Sequence, residues 1–361
     1  MNDANELISF IASMSGEGNL RVEENLGEGY VRLRVSEAER RQAKHDIQHV
    51  EDIVIEMLRN ARDAGADKVY LATTKEDGVR TLVFLDNGSG VPQDMQERIF
   101  DARVTSKLES MKMDRWGVHG RGMALFSIKQ NTDEARVVAS DVDLGSVFKV
   151  SVATDRLGER ADQSSWPQAV KDEDGHYVCA RGPHNIIRAA CEFALEELRA
   201  CDVYLGSPSE IAATLHAQAS SRLDASRLLF IDDEAEFPVV DRLGLASDAE
   251  DFIRICSGLG LEMSERTAHR ILAGQIKPVR GVTARLLRER DSSSHASAQV
   301  DLAKDRRGLR IAKDDMAQFS RAVERDFNDL ASRYYLNLCG DPKIRVSRDR
   351  ITVTFDIAKE E

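Results

Sequence analysis

The 361-residue chain contains no apolar run approaching the roughly 20 residues that a membrane-spanning helix needs, so no membrane partner is expected. Its start, Met1-Asn2-Asp3-Ala4-Asn5-Glu6, lacks the basic segment that opens a secretory signal. Cysteine is scarce: Cys179, Cys191, Cys201, Cys256 and Cys339 are odd in number and form no Cys-x-x-Cys pair. Neither a disulfide framework nor a zinc ribbon is indicated, and a reducing, cytoplasmic setting is expected. The formal net charge of −12 argues against a nonspecific nucleic-acid coat. What remains is an acidic chain with 42% hydrophobic residues, enough for two or three packed domains.

Four short stretches stand in an order that carries chemistry. The first, Glu56-Met57-Leu58-Arg59-Asn60-Ala61-Arg62-Asp63-Ala64, lies in a helical pattern striped by Ile53, Met57 and Ala64. Glu56, Asn60 and Asp63 therefore share one face, a carboxylate and an amide suited to a base and a metal ligand. The second, Asp86-Asn87-Gly88-Ser89-Gly90-Val91-Pro92, follows the apolar strand Thr81–Leu85. It puts Asp86 at a strand end and Gly88 and Gly90 where the backbone turns tightly or approaches a ligand. The third is Gly117-Val118-His119-Gly120-Arg121-Gly122, and the last is Gly145-Ser146. Each alone reads as a solvated helix face, a plain turn or a chance glycine pair. All four in this order, within about a hundred residues, read as a nucleotide site.

That set resembles the GHKL ATPases, the superfamily of gyrase, heat-shock chaperone, sensor histidine kinase and MutL, over roughly residues 25 to 155. The resemblance implies ATP and Mg²⁺ as cofactors. It gives Glu56 the activation of the attacking water and Asn60 the Mg²⁺ against the phosphates, with Asp63 beside them. Asp86 would bind the adenine amine, supported by the Ser146 hydroxyl, with Gly88 and Gly90 in the same turn. Gly117, Val118, His119, Gly120, Arg121, Gly122 and Met123 would form a lid over the phosphates, its N–H groups at a helix start suiting an anion. Thr105-Ser106-Lys107 before the lid looks like MutL and the topoisomerase VI B subunit, and makes Lys107 a phosphate contact. MutL proteins carry Gly-Phe-Arg-Gly-Glu-Ala in the lid, and the shorter interval from Lys107 to Gly117 is closer to the topoisomerase VI pattern.

Periodicity predicts a short helix within 1–16, a strand over Tyr30–Val35, one long helix or two over 36–64, and a strand hairpin turning at Asp77-Gly78. A helix from Met123 to Gln130 and strands over 135–140 and 146–154 follow. The expected fold is α+β: a GHKL α/β sandwich, a mixed sheet with helices on one face, over residues 1–157. A loop-like stretch, 158–175, leads to a helical region, 176–290, with helices over 185–201, 209–219, 248–259, 264–273 and 279–290. The serine-rich Asp291–Ser297 reads as a linker. A small α/β tail, 298–361, carries a helix over 315–337 and a hairpin around Ser347-Arg348-Asp349-Arg350.

Between Arg266 and Arg290 the acidic balance reverses: Arg266, Arg270, Lys277, Arg280, Arg285, Arg288 and Arg290 face only Glu289. A solvated helix exterior and a phosphate-binding surface both fit. Leu261–Gly274 looks similar to the helix-two-turns-helix module of topoisomerase VI B subunits, which makes Arg266, Arg270, Lys277 and Arg280 the candidate DNA contacts. That family closes its site with a lysine from a transducer domain. The tail here is short for such a domain, and Lys277 and Lys343 are candidates by residue type. The expected partners are DNA, a second copy joined in an ATP-dependent homodimer, and a separate DNA-cleaving subunit. In that family the nucleophilic tyrosine belongs to a separate A subunit, and Tyr334 and Tyr335 read as helix core or surface residues, so the chain alone should not cut DNA. The alternatives are a GHKL-type protein kinase, with His45 and His49 as phosphoacceptors, and an ATP-gated scaffold without turnover.

Overall fold

The structure is a computed structural model that describes residues 22–106, 112–114, 116–119, 122–160, 162–198, 200–222, 234–287, 313–331, 336–340, 342–346 and 351–359. The helix expected in 1–16, the linker at 291–297, Tyr334, Tyr335 and the turn at 347–350 lie outside them.

Two strands, β1 (Val22–Gly27) and β2 (Tyr30–Leu33), open the described chain as an antiparallel pair. Helix α1 (Glu37–Asp46) starts at Ser36, whose hydroxyl accepts from the Glu39 N–H while the Glu39 carboxylate accepts from the Ser36 N–H. This reciprocal capping box fixes the helix start. Helix α2 (Val50–Asp63) buries Val50, Ile53, Val54, Met57, Leu58 and Ala61, the spacing of one apolar stripe. It stops at Gly65, at φ 76°, where Ala66 N–H donates to Ala61 O and Gly65 N–H to Arg62 O. Both bonds of a Schellman turn are thus made.

Strands β3 (Lys68–Glu76) and β4 (Val79–Asp86) form the expected hairpin, with Asp77 at φ 47° and Gly78 at φ 78° in its two-residue turn. The short β5 (Val104–Thr105) joins β2, and β6 (Lys112–Asp114) pairs with β7 (Gly117–His119). Helix α3 (Ala124–Asn131), β8 (Glu134–Ser140) and β9 (Ser146–Ala153) follow as the sequence predicts. A small hairpin, β10 (Gln168–Lys171) with β11 (Tyr177–Arg181), falls partly in the stretch read as loop. After α4 (Ile186–Glu196) comes β12 (Asp202–Gly206), which the sequence reading lacks. It pairs in parallel with β3, giving a five-stranded mixed sheet in the order β12-β3-β4-β9-β8.

The sheet is covered on both faces. On one, Val69, Leu71, Leu82, Phe84 and Val150 pack in a core shared with α2, α3 and α4 through Ile53, Leu58, Ile128 and Phe193. On the other, Tyr70, Ala72, Val83, Leu85 and Val147 meet α5 (Pro208–Arg222), α6 (Ala249–Gly258) and α7 (Glu265–Leu272) through Ile211, Leu215, Phe252, Ile255 and Ile271. The sandwich with helices on one face is thus extended by a second helical layer from the middle of the chain. A further helical turn, 282–287, buries Val282 and Leu286 against the first core.

The chain divides into two compact units at Ser293/Ser294. Within the second, α8 (Lys313–Ala331) precedes two antiparallel pairs, β13 (Leu336–Leu338) with β16 (Ile357–Lys359) and β14 (Lys343–Val346) with β15 (Ile351–Thr354). Phe327 stacks on Phe355 at 4.1 Å.

Candidate nucleotide cleft

A cleft of about 500 Å³ opens between α1, α2, the ends of β4 and β9, and the start of α3, in the size range of small-molecule sites. Its wall contains Glu56, Asn60, Asp63, Asp86, Gly90, Thr105, Ser106, Gly122, Met123 and Ser146. Residues spread over ninety positions of sequence are brought together there.

Register places the carboxylate and the hydroxyl side by side: Asp86 at the end of β4 is the direct partner of Ser146 at the start of β9, and both are buried. The Asp86 carboxylate accepts the Gly88 N–H at 2.9 Å, so Gly88 supports the acid. Ser146 Oγ lies 3.1 Å from Ser140 Oγ, and Ser140 in turn accepts the Val91 N–H and donates to Gly145 O. The turn after β4 is pinned to the end of α2 by Ser89 N–H donating to Ala64 O at 2.9 Å. Two glycines are obligatory here. A Cβ on Gly90, at φ 73°, would stand 1.8 Å from Asp141 O, and one on Gly145, at φ 78°, would stand 2.1 Å from Asp86 O.

The other end of the cleft is rich in charge. Glu56 Oε1 is 2.7 Å from the buried Arg59 guanidinium, whose Nε reaches Asp114 at 2.9 Å. Arg62 adds contacts to Asp63, Asp114 and Glu197. Hydrogen bonds to these carboxylates raise the Arg62 pKa further against the opposing effect of burial. Among the described residues, four carboxylates thus meet two guanidiniums. Glu56 and Asn60 both line the cleft, and their side-chain oxygens are hard donors of the kind that fits Mg²⁺.

Helix α1 contributes a wall that sequence reasoning missed, with Glu39, Gln42 and Asp46 facing the cleft beside Tyr30. The Ser36 backbone N–H holds the Glu39 carboxyl below its ordinary value against desolvation, helped by the Ser36 hydroxyl and Arg103, with which Glu39 is ion-paired. Burial pushes the Tyr30 hydroxyl up, a hydrogen bond with Ser106 offsetting part of the rise. The capping pattern Ser36-x-x-Glu39 marks this helix in the sequence, but nothing there says that it borders the cleft.

The lid positions divide. Gly122 and Met123 stand before α3 and line the cleft, and Gly122 O accepts the Arg103 N–H at 2.8 Å. Gly117, Val118 and His119 form β7, a strand instead of a helix start. Lys107, Gly120 and Arg121 lie outside the described residues.

Residues 47–140 match the family model described as "Histidine kinase-, DNA gyrase B-, and HSP90-like ATPase". This segment is a GHKL-type ATPase domain. The matched span holds Glu56, Asn60, Asp86 and the lid, and stops short of Ser146. The DNA mismatch repair proteins MutL of Staphylococcus aureus strains Newman and JH1 are each 28% identical over 136 residues, 35% of this chain and 20% of their own length. The chain therefore matches about a fifth of the length of these relatives.

The basic candidates lie elsewhere. Arg266, Arg270, Lys277 and Arg280 are all exposed, and no ion pair to them is present among the described residues. Arg266 and Arg270 line an open groove with His269 and Gln275, while Lys277 and Arg280 follow in the loop after α7. Arg285 lies 3.9 Å over the Trp166 ring. Lys343, in the second unit, is paired with Asp356 at 2.6 Å. No helix among the described residues is long and apolar enough to cross a membrane.

Proposed function

We propose that this chain is a Mg²⁺-dependent, ATP-binding and ATP-hydrolysing conformational switch that acts on DNA with a partner, in the manner of the topoisomerase VI B subunit and MutL. The observation that carries it is the convergence of Glu56, Asn60, Asp86, Gly122 and Ser146 on one cleft. Asp86 accepts a hydrogen bond from the adenine amine, with Ser146 beside it. Asn60 holds Mg²⁺, which when bound neutralises charge developing on the phosphates. Glu56 orients and deprotonates the attacking water. The Gly122–Met123 segment offers backbone N–H groups at the start of α3 to the phosphates, and its ordering around nucleotide favours a homodimer. Arg266, Arg270, Lys277 and Arg280 are the DNA contacts, and any strand cleavage belongs to a separate subunit. The chain works in the cytoplasm.

The deciding experiment compares phosphate release and ATP binding in the native protein and Glu56→Ala. The variant binds ATP and loses turnover, because the base does not hold the nucleotide. Native turnover in Glu56→Ala would remove the base assignment.

A further inference from the structure

The pairing of Glu56 with Arg59 is not an ordinary helix-surface contact. An exposed pair three residues apart is worth only a few tenths of a kcal/mol, and its partners keep their water. Here the Arg59 side chain is 3% exposed, so its charge has been taken out of solvent and must be met by fixed carboxylates. Among the described residues two from different elements meet it: Glu56 of α2, which faces the cleft, and Asp114 at the end of β6. The guanidinium fork is divided between them, one terminal nitrogen to Glu56 and Nε to Asp114. Asp114 is itself fixed from two further sides, by Arg62 at 3.1 Å and by the Trp116 N–H at 3.0 Å. Trp116 borders the cleft and stacks on Phe193 of α4 with ring centroids 6.3 Å apart. The β6–β7 hairpin, which carries the lid positions Gly117 to His119, is thus tied through one guanidinium to the carboxylate assigned as the base.

We propose that Arg59 is a positioning residue for Glu56, and that Asp114 sets its grip, so that the placement of the β6–β7 hairpin governs hydrolysis. With Asp114 engaged, Arg59 is shared, and Glu56 is oriented while keeping part of its negative charge available to water. With Asp114 removed, more of the positive charge falls on Glu56 and weakens it as a base. Lysine at position 59 keeps the charge but has no planar fork, so it cannot hold both carboxylates in this geometry. The inference rests on Glu56 being the base of the proposed reaction.

The test uses the full chain with Arg59→Lys, Asp114→Asn and Glu56→Gln, measuring kcat and KM for ATP, and ADP affinity by calorimetry. Expected is a loss of about tenfold or more in kcat for Arg59→Lys and a smaller loss for Asp114→Asn, with ADP affinity within about twofold of native. In the Glu56→Gln background the Arg59→Lys change should cost nothing further, because it acts only through Glu56. Asp114→Asn keeps the side-chain shape and both arginines, so it covers the case in which Arg59→Lys fails to fold. Native kcat in both variants, beside an inactive Glu56→Gln, overturns the inference and leaves the proposed function standing. Parallel losses of ADP affinity and kcat also overturn it, since they mark a purely structural network. Turnover that survives in Glu56→Gln sinks both readings together.

Discussion

The nucleotide cleft and the basic stretch from Arg266 to Arg280 handle polarity in opposite ways. In the cleft, Asp86 and Ser146 are buried within a web of close contacts, and the glycine turns beside them leave no room for a methyl group. In the basic stretch all four charged side chains point to solvent, and no ion pair holds them among the described residues. Recognition in the first is built into the fold. In the second it would come from counterion release and cost the fold almost nothing. The two regions should therefore fail differently when altered.

The largest effect is expected at Gly145. Gly145→Ala places a Cβ 2.1 Å from Asp86 O at a positive φ, so the paired ends of β4 and β9 must part. A stability loss of about 3 kcal/mol and loss of ATP binding are expected by denaturant titration and calorimetry. Gly158→Ala is the control, since nothing lies within 4 Å of its Cβ position. Equal behaviour of the two would erase the contrast drawn here.

Asp86→Asn should act on the ligand more than on the fold. The amide oxygen can still accept the Gly88 N–H, but the anionic acceptor for an exocyclic amine is gone. ATP affinity should fall by about tenfold, with the melting temperature shifted by only a few degrees. Unchanged affinity would take Asp86 out of the site.

Changing Arg266, Arg270, Lys277 and Arg280 together to Glu should have the smallest effect on stability, because exposed positions tolerate substitution within about 0.5 kcal/mol each. DNA binding should disappear, and each lost contact should remove a slope of about 0.9 from the log–log salt dependence. Filter binding at two salt concentrations beside a thermal melt checks both. Early melting without any DNA effect would give these residues a structural task, and absence of DNA binding by the native protein would end the nucleic-acid reading.

The cleft was legible because its chemistry is local: Glu56, Asn60 and Asp63 share one helix face, and Asp86 sits where an apolar strand meets a glycine turn. Strand β12 was not legible. Five residues after a helix, Asp202–Gly206, carry too little periodicity to be separated from its end, and their place depends on a neighbour more than a hundred residues earlier. The second helical layer did leave a sign. Leu82, Val83, Phe84 and Leu85 are apolar on both faces of β4, the pattern of a strand buried on both sides rather than of one facing water. Arg59 and Arg62 stood within the first motif, but their pairing with Asp114 and Glu197 depends on the fold bringing distant segments together.

The parallel pairing of β12 with β3 also leaves one edge of the sheet unfilled during synthesis. Strand β3 leaves the ribosome with one edge open, and its partner is made only after residue 202 has been added. At ordinary elongation rates that interval is about ten seconds, during which an unpaired edge within the nucleotide-binding sheet is exposed to neighbouring nascent chains. Slower translation before residue 202 should therefore lower the yield of native protein more than slower translation after it.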